Sequence, residues 1–283
     1  MKLIRFGEQK KEKPGILTKD GIRKDCSHIF KDWDHSFFKN NGLEKLKKLN
    51  LNELPNVTKD KRWGAPVARP FKVICIGLNY KEHTKEAKMD IPTEPIVFLK
   101  ATNSIVGPYD DITIPKNSTT TDYELELGII IGKDCYYLES SQMAEEYIAG
   151  YTISNDVSER NCQLKRSGQW CKGKSFKSFN PIGPFLLTSD EIDDPNDLNM
   201  YLKVNSDIRQ KSNTKNMIFD PTFIVHYVSQ FMELEAGDLI TTGTPSGVAL
   251  GLKYNGYLKQ GDELELGIDK LGVQKSICIN YTC

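Results

Sequence analysis

The sequence predicts a β-rich, mixed α/β protein, and three features carry that expectation. From Phe71 onward the chain is a succession of short apolar runs separated by turns containing Pro or Gly, which is how strands read. Clear helical signals are few. No glycine-rich loop of the Rossmann or P-loop type joins a strand to a helix, since Gly243-Thr-Pro-Ser-Gly247 lacks the lysine of a phosphate loop.

Residues 1–70 are charged, poor in long apolar runs and broken by Pro14, Gly15, Gly21 and Pro55, so they read as a small N-terminal region. A first strand is expected at Met1–Phe6. One or two short helices are expected between Ser27 and Leu51, where Phe30, Trp33 and Phe37 lie among lysines. The two prolines of Ala65-Pro-Val-Ala-Arg-Pro70 restrict the backbone and remove amide donors, which places a boundary there and leaves 71–283 as the main domain. Strands are then expected at 73–76, 96–99, 125–131, 151–153, 184–187, 200–204, 239–241, 263–268 and 277–279. Ser140 followed by acidic residues marks one helix. Asp220-Pro221 marks another, with an apolar face at Phe223, Val225, Tyr227, Val228, Phe231 and Met232.

Lys plus Arg and Asp plus Glu are equal at 38 each, so no long-range field draws in nucleic acid, and no zinc-finger spacing or basic stripe contradicts that. No segment has the apolar length of a membrane span, and Met1-Lys-Leu-Ile-Arg-Phe6 lacks a signal-peptide core. The expected location is cytoplasmic, with the mitochondrial matrix as the alternative. Seven cysteines at irregular spacing do not form a disulfide framework. Cys75 reads as a small buried hydrophobe. Cys162 and Cys171 flank a polar cluster where a catalytic thiol would need a partner from elsewhere.

The chemistry starts at Asp122-Tyr-Glu-Leu-Glu-Leu-Gly-Ile-Ile-Ile131. On a strand Glu124 and Glu126 point to the same side, and two like charges in a partly buried place need a cation. A hard divalent metal held by oxygen ligands is the simplest one. The chain contains its own control, because Gly261-Asp-Glu-Leu-Glu-Leu-Gly-Ile268 repeats the pattern with Glu263 and Glu265. A solvated acidic strand would explain either copy. Only the first is followed by a third carboxylate in a polar cluster, Asp156 of Ser154-Asn-Asp-Val-Ser-Glu-Arg-Asn-Cys-Gln163, although Asp156 would serve equally as a cap. On a helix Arg160 and Gln163 would share a face with Asp156 and suit an anionic, oxygen-rich substrate.

Of four histidines, His83 stands out, because Glu86 one helical turn later can hold its imidazole and raise its basicity as a general base requires. A solvated surface pair would look the same. Lys100 and Lys174 are candidates to aim an ammonium into a pocket, and the hydroxyls and amides of Thr241–Gly247 can bind a carboxylate or oxyanion.

These segments together resemble the fumarylacetoacetate hydrolase family, in its domain-containing branch. The match runs in order through Ile76-Gly-Leu-Asn-Tyr-Lys-Glu-His83, Ser104-Ile-Val-Gly-Pro108, Asp122–Lys133, Gly150–Arg160, Gly173-Lys-Ser-Phe176, Pro181-Ile-Gly-Pro184 and Gly237–Val248. The resemblance implies a rolled mixed β-sheet core with a few packed helices, in a homodimer. It implies Mg²⁺, with Mn²⁺ or Ca²⁺ as alternatives, on Glu124, Glu126 and Asp156. It further implies His83 and Glu86 as the pair that activates water, on a segment (residues 80–90) that closes as a lid. Lys174 falls on the family's active-site lysine, and Arg160, Gln163 and Thr244 fall on substrate-lining positions. Lys177 stands where many relatives have Asp, which leaves the pocket charge open. The implied activity is hydrolysis of a carbon–carbon bond in a small anionic β-diketo or oxo acid. Oxaloacetate decarboxylation or keto–enol tautomerisation at the same site, and a catalytically weak binding module, are the alternatives.

Overall fold

The computed structural model describes residues 1–86, 89–252 and 256–282. Two sheets organise them. The larger runs in the order Arg23–Asp25, Lys13–Leu17, Lys2–Phe6, Leu186–Thr188, Ile148–Asn155, Leu125–Ile131, Leu239–Thr241, Val73–Gly77, Ile96–Lys100, with Trp63–Gly64 pairing off Lys2–Phe6. All of its pairs are antiparallel except Leu239–Thr241 against Val73–Gly77, so the sheet is mixed. The smaller sheet runs Asp207–Asn213, Asn199–Val204, Glu263–Ile268, Gly272–Asn280, Ile112–Ile114.

Leu125–Ile131 lies in the middle of the larger sheet and is buried throughout, which is why it reads as an uninterrupted apolar run after the acidic pair. Its partner Ile148–Asn155 is set so that Leu125 faces Asn155 and Glu126 faces Ser154. That register brings the acidic pair beside Asp156, the residue directly after the partner strand. Leu127, Ile129 and Ile153 from this sheet share one core with Leu202, Leu264 and Leu266 from the other.

The first 70 residues contribute strands to the larger sheet, and their aromatics Trp33, Phe37 and Phe38 pack in one cluster with Val73, Ile130 and Leu239. The short helices expected there are His35–Lys39, capped by Asp34, and Gly42–Lys47. Ser140 and Asp220 cap their helices as expected, accepting from the amides of Met143 and Phe223. Of the face expected on Pro221–Ser229, Val225 and Val228 are buried and Met232 packs against the core, joined by Ile224, which was not expected there. Phe219, Phe223, Tyr227 and Phe231, spaced by four, instead form a ladder of ring contacts outside it, and Phe231 is exposed. No helix among the described residues is long and apolar enough to cross a membrane.

The second acidic pair is accounted for by surface lysines. Glu263 is exposed, while Glu265 accepts from Lys203 at 2.9 Å and contacts Lys275 at 3.0 Å. Lys203, then Lys275, hold the Glu265 carboxyl down to about 2, against 4.5 ordinarily. A depressed carboxyl stabilises the fold fully above its unfolded value and loses that contribution as pH falls through its folded one. Glu265→Gln should therefore lower the melting temperature at neutral pH and lessen its drop between about pH 4.5 and 2, read by calorimetry.

Candidate active site

Glu124, Glu126 and Asp156 each offer a carboxylate oxygen, and these oxygens lie within 4.8 Å of one another at buried positions. It is the one such group among the described residues. Backbone pairing fixes it, because the Asp156 amide donates to the carbonyl of Glu124 at 2.9 Å.

Three buried cations surround the trio unevenly. Lys174 donates to Glu124 at 2.6 Å and to Asp156 at 2.7 Å, so it bridges two of the carboxylates. Lys100 donates to Asp156 and, at 2.7 Å, to the Phe179 carbonyl. Arg160 donates to Glu124 at 2.7 Å, to Asp122 at 2.8 Å and to Gln163 at 2.9 Å. Glu126, 1% exposed, receives a single hydrogen bond, from the Gly243 amide at 2.8 Å.

The electrostatics follow this asymmetry. Burial works against the charge on Glu124, but Lys174 and Arg160 outweigh it and hold that carboxyl well below its usual range. For Glu126, burial and then the charges of Asp156 and Glu124 push the carboxyl well above its usual range. Burial alone would lower Lys174; Asp156 and Glu124 reverse this and hold it above the ordinary lysine value. Glu126 is thus the member of the trio that still lacks a cation. Three oxygen donors at this spacing, one of them uncompensated, fit a hard divalent ion.

A hollow of about 130 Å³ opens onto Glu124 and Glu126, and His83, Arg160, Gln163, Lys174 and Thr244 all line it. Larger surface hollows exist, such as one of about 660 Å³ beside residues 6–13 and 60–62, but no carboxylate trio adjoins them. His83 is buried, and its Nδ1 lies 3.2 Å from Glu86, as the spacing predicts. Glu86 also accepts from the Gly247 amide at 3.0 Å, so the helix Lys81–Glu86 is docked onto the 241–247 loop. Of the expected lid segment, Ala87 and Lys88 lie outside the described residues.

Several expectations need correction. Lys100 does not line the hollow; its ammonium is committed to Asp156 and two carbonyls, so it holds a carboxylate from behind. Arg160 and Gln163 do not share a helical face with Asp156, because the helix begins at Arg160, after the short strand Ser158–Glu159. The amides of Gly243 and Gly247 do bind carboxylates, but those of Glu126 and Glu86. The Thr244 hydroxyl donates to Leu125 and accepts from Gln210. Lys177 is exposed and does not line the hollow. Cys162 and Cys171 are free and line no part of it.

Sequence reasoning passed over Asp122. Fully buried, it accepts from Arg160 and from the amides of Ala249 and Leu250, tying the guanidinium to the loop beyond Gly247. Its place two residues before Glu124 was the available signal. Glu159 was also passed over; its carboxylate gathers the hydroxyls of Ser118, Thr120 and Thr121 and so anchors the start of the Arg160 helix.

The sequence profile described as fumarylacetoacetate (FAA) hydrolase C-terminal matches residues 72–277. A 2,4-didehydro-3-deoxy-L-rhamnonate hydrolase from Sphingomonas sp. is 45% identical over 276 residues, covering 97% of this chain and 95% of the relative. The structure of a fumarylacetoacetate hydrolase from psychrophilic Exiguobacterium antarcticum superposes with a TM-score of 0.87 at 36% identity, over 99% of this chain and 100% of that one. Maleylpyruvate hydrolase from Sphingobium sp., solved in complex with manganese(II) and pyruvate, superposes with a TM-score of 0.83 at 27% identity, over 100% of both chains.

Proposed function

Because the chain belongs to the fumarylacetoacetate hydrolase family, we propose that it hydrolyses a carbon–carbon bond in a small β-diketo acid of the acylpyruvate type, with a divalent ion on Glu124, Glu126 and Asp156. The observation that carries this reading is Glu126, a buried carboxylate beside two others with one neutral donor. With every group ionised, Asp122, Glu124, Glu126 and Asp156 carry four negative charges against three positive ones on Lys100, Arg160 and Lys174. A divalent cation turns that net charge from minus one to plus one, the sign a carboxylate substrate requires. The ion when bound would polarise substrate oxygens and offset the charge of the departing enolate, at a gain of several kcal/mol, roughly.

The relatives agree with this chemistry. The Sphingomonas protein's substrate is named as a 3-deoxy acid oxidised at carbons 2 and 4, the two carbonyl positions of an acylpyruvate. The Sphingobium structure contains manganese and an oxo acid, pyruvate. In the proposed reaction His83, oriented through Nδ1 by Glu86, takes a proton from water, and the water oxygen bonds to C4. The C3–C4 bond then breaks with its electron pair on C3. His83 returns the proton it took to C3, which yields pyruvate, and the acyl carbon leaves as a carboxylic acid that gives up its proton to solvent. Arg160 and Lys174 fix Glu124, while the Gln163 amide nitrogen, which has no hydrogen-bond partner among the described residues, is placed to meet the substrate carboxylate.

The test is product analysis. With Mg²⁺ or Mn²⁺, 2,4-dioxopentanoate should give pyruvate and acetate in equal amounts by proton NMR, with turnover lost on chelation. Carbon dioxide from oxaloacetate with no cleavage of the dioxo acid would assign the site to decarboxylation. Exchange of the C3 protons alone would assign it to tautomerisation.

A further inference from the structure

The lining of the hollow is of two kinds, with the carboxylates, His83 and Gln163 among its polar residues and Phe98, Trp170, Leu164, Met89 and Leu250 among its apolar ones. Trp170 and Lys174 are four residues apart with Trp170 already in helical conformation, so the indole and the ammonium project to the same side of one turn. The indole meets Phe98 edge-on, with ring centroids 5.3 Å apart, and the Lys174 ammonium lies 5.2 Å from the centre of that same Phe98 ring. The indole and the ammonium therefore contact the same aromatic ring.

Gly77 fixes where the indole sits. A Cβ at residue 77 would lie 2.5 Å from Cζ3 of Trp170, closer than any real contact, so the ring packs directly on the backbone of the strand Val73–Gly77. The indole is held from below by Gly77 and from the side by Phe98, and this is how a rigid wall is built. Its distance from the carboxylates is set by the two strands that carry Gly77 and Phe98, which pair antiparallel.

Size then decides what fits. A hollow of about 130 Å³ is near that of an engineered cavity of ~150 Å³ that holds one benzene. A dioxo acid with a two- or three-carbon acyl group is of that scale, and apart from the indole N–H the aromatic wall offers its tail only carbon.

We infer that Trp170, seated on Gly77 against Phe98, is the specificity-determining end wall of the site and that the substrate's acyl group is a short hydrocarbon. This rests on the acylpyruvate reading above and adds to it the length and polarity of the part of the substrate that leaves as a carboxylate. In a hydrophobic pocket each methylene is worth about 10–200-fold in discrimination, so a chain too long for the wall is strongly rejected.

The experiment compares 2,4-dioxo acids bearing acetyl, butanoyl and hexanoyl groups, each as kcat/KM with Mn²⁺. The wild type should favour acetyl over hexanoyl by at least about tenfold. Trp170→Ala should reduce that ratio to about threefold or less, and Trp170→Phe should fall between. Melting temperatures identify any variant that has lost its fold, and Trp170→Phe, the smaller change, then stands in for Trp170→Ala. Equal use of all three acids by the wild type, or an unchanged ratio in a folded Trp170 variant, would overturn the inference. Should the wild type cleave no dioxo acid, the acylpyruvate reading fails, and binding of pyruvate and 2-oxooctanoate, read by isothermal titration calorimetry, decides the wall separately. Tighter binding of pyruvate that Trp170→Ala abolishes supports it, and equal loss for both acids sinks it.

Discussion

Replacing Glu126 with Ala should lower the turnover of a dioxo acid by about 10³-fold or more, since Lewis-acid stabilisation worth several kcal/mol is lost and each 1.36 kcal/mol is tenfold. Among the three carboxylates this is the informative one. Glu124 and Asp156 are both bound to Lys174, so changing either removes one of the two carboxylates that hold a buried ammonium and confounds folding with function. Glu126 touches no cation among the described residues, and its removal relieves repulsion instead of exposing a charge. The variant should therefore stay folded while losing activity. Steady-state kinetics with saturating Mn²⁺ measures this, and activity within tenfold of the wild type would remove the ion from the reaction.

His83→Ala should cost about 10²–10⁴-fold in hydrolysis, the range for a positioned general acid–base group. The histidine sits on a six-residue helix docked through Glu86, so the substitution removes the base without touching the carboxylates. Metal-induced stabilisation should persist. Loss of hydrolysis together with retained enolisation, followed as C3 proton exchange, would separate the two steps and place His83 on the water-attack side. Full activity would assign the base elsewhere.

Much of this site could be read from the chain alone because the sheet is simple where the chemistry is. Glu124, Glu126 and Asp156 come together through strand alternation and one antiparallel register, both local rules. The His83–Glu86 pair is likewise one turn of helix. What escaped notice depends on long-range placement. Asp122 obeys the same alternation, but its role arises from Arg160 and from amides more than a hundred residues away. Lys100 ends a strand as expected, yet which side of Asp156 it reaches is set by sheet order.

The fold shows the same division. Lys13–Leu17 contains Pro14 and Gly15, and Asp207–Asn213 is almost wholly polar, so neither announces a strand. The latter is an edge strand, which forms through backbone pairing and needs little apolar pattern. On the helix Pro221–Ser229 the expected face is right at Val225 and Val228, but Ile224 completes it, and the rings of Phe223 and Tyr227 stack on each other instead.

The central claim, that the Glu124–Glu126–Asp156 trio holds a divalent ion, is tested most directly by thermal unfolding of the metal-free protein and its Glu126→Gln variant, with and without Mn²⁺. Ion at 100 times its dissociation constant adds about 2.7 kcal/mol. At roughly 2–4 °C per kcal/mol for domains of this size class, the wild type should gain about 5–10 °C. The variant, relieved of a like charge, should melt at or above the metal-free wild type and gain little from the ion. An equal Mn²⁺ shift in both proteins, or none in the wild type, would contradict the account.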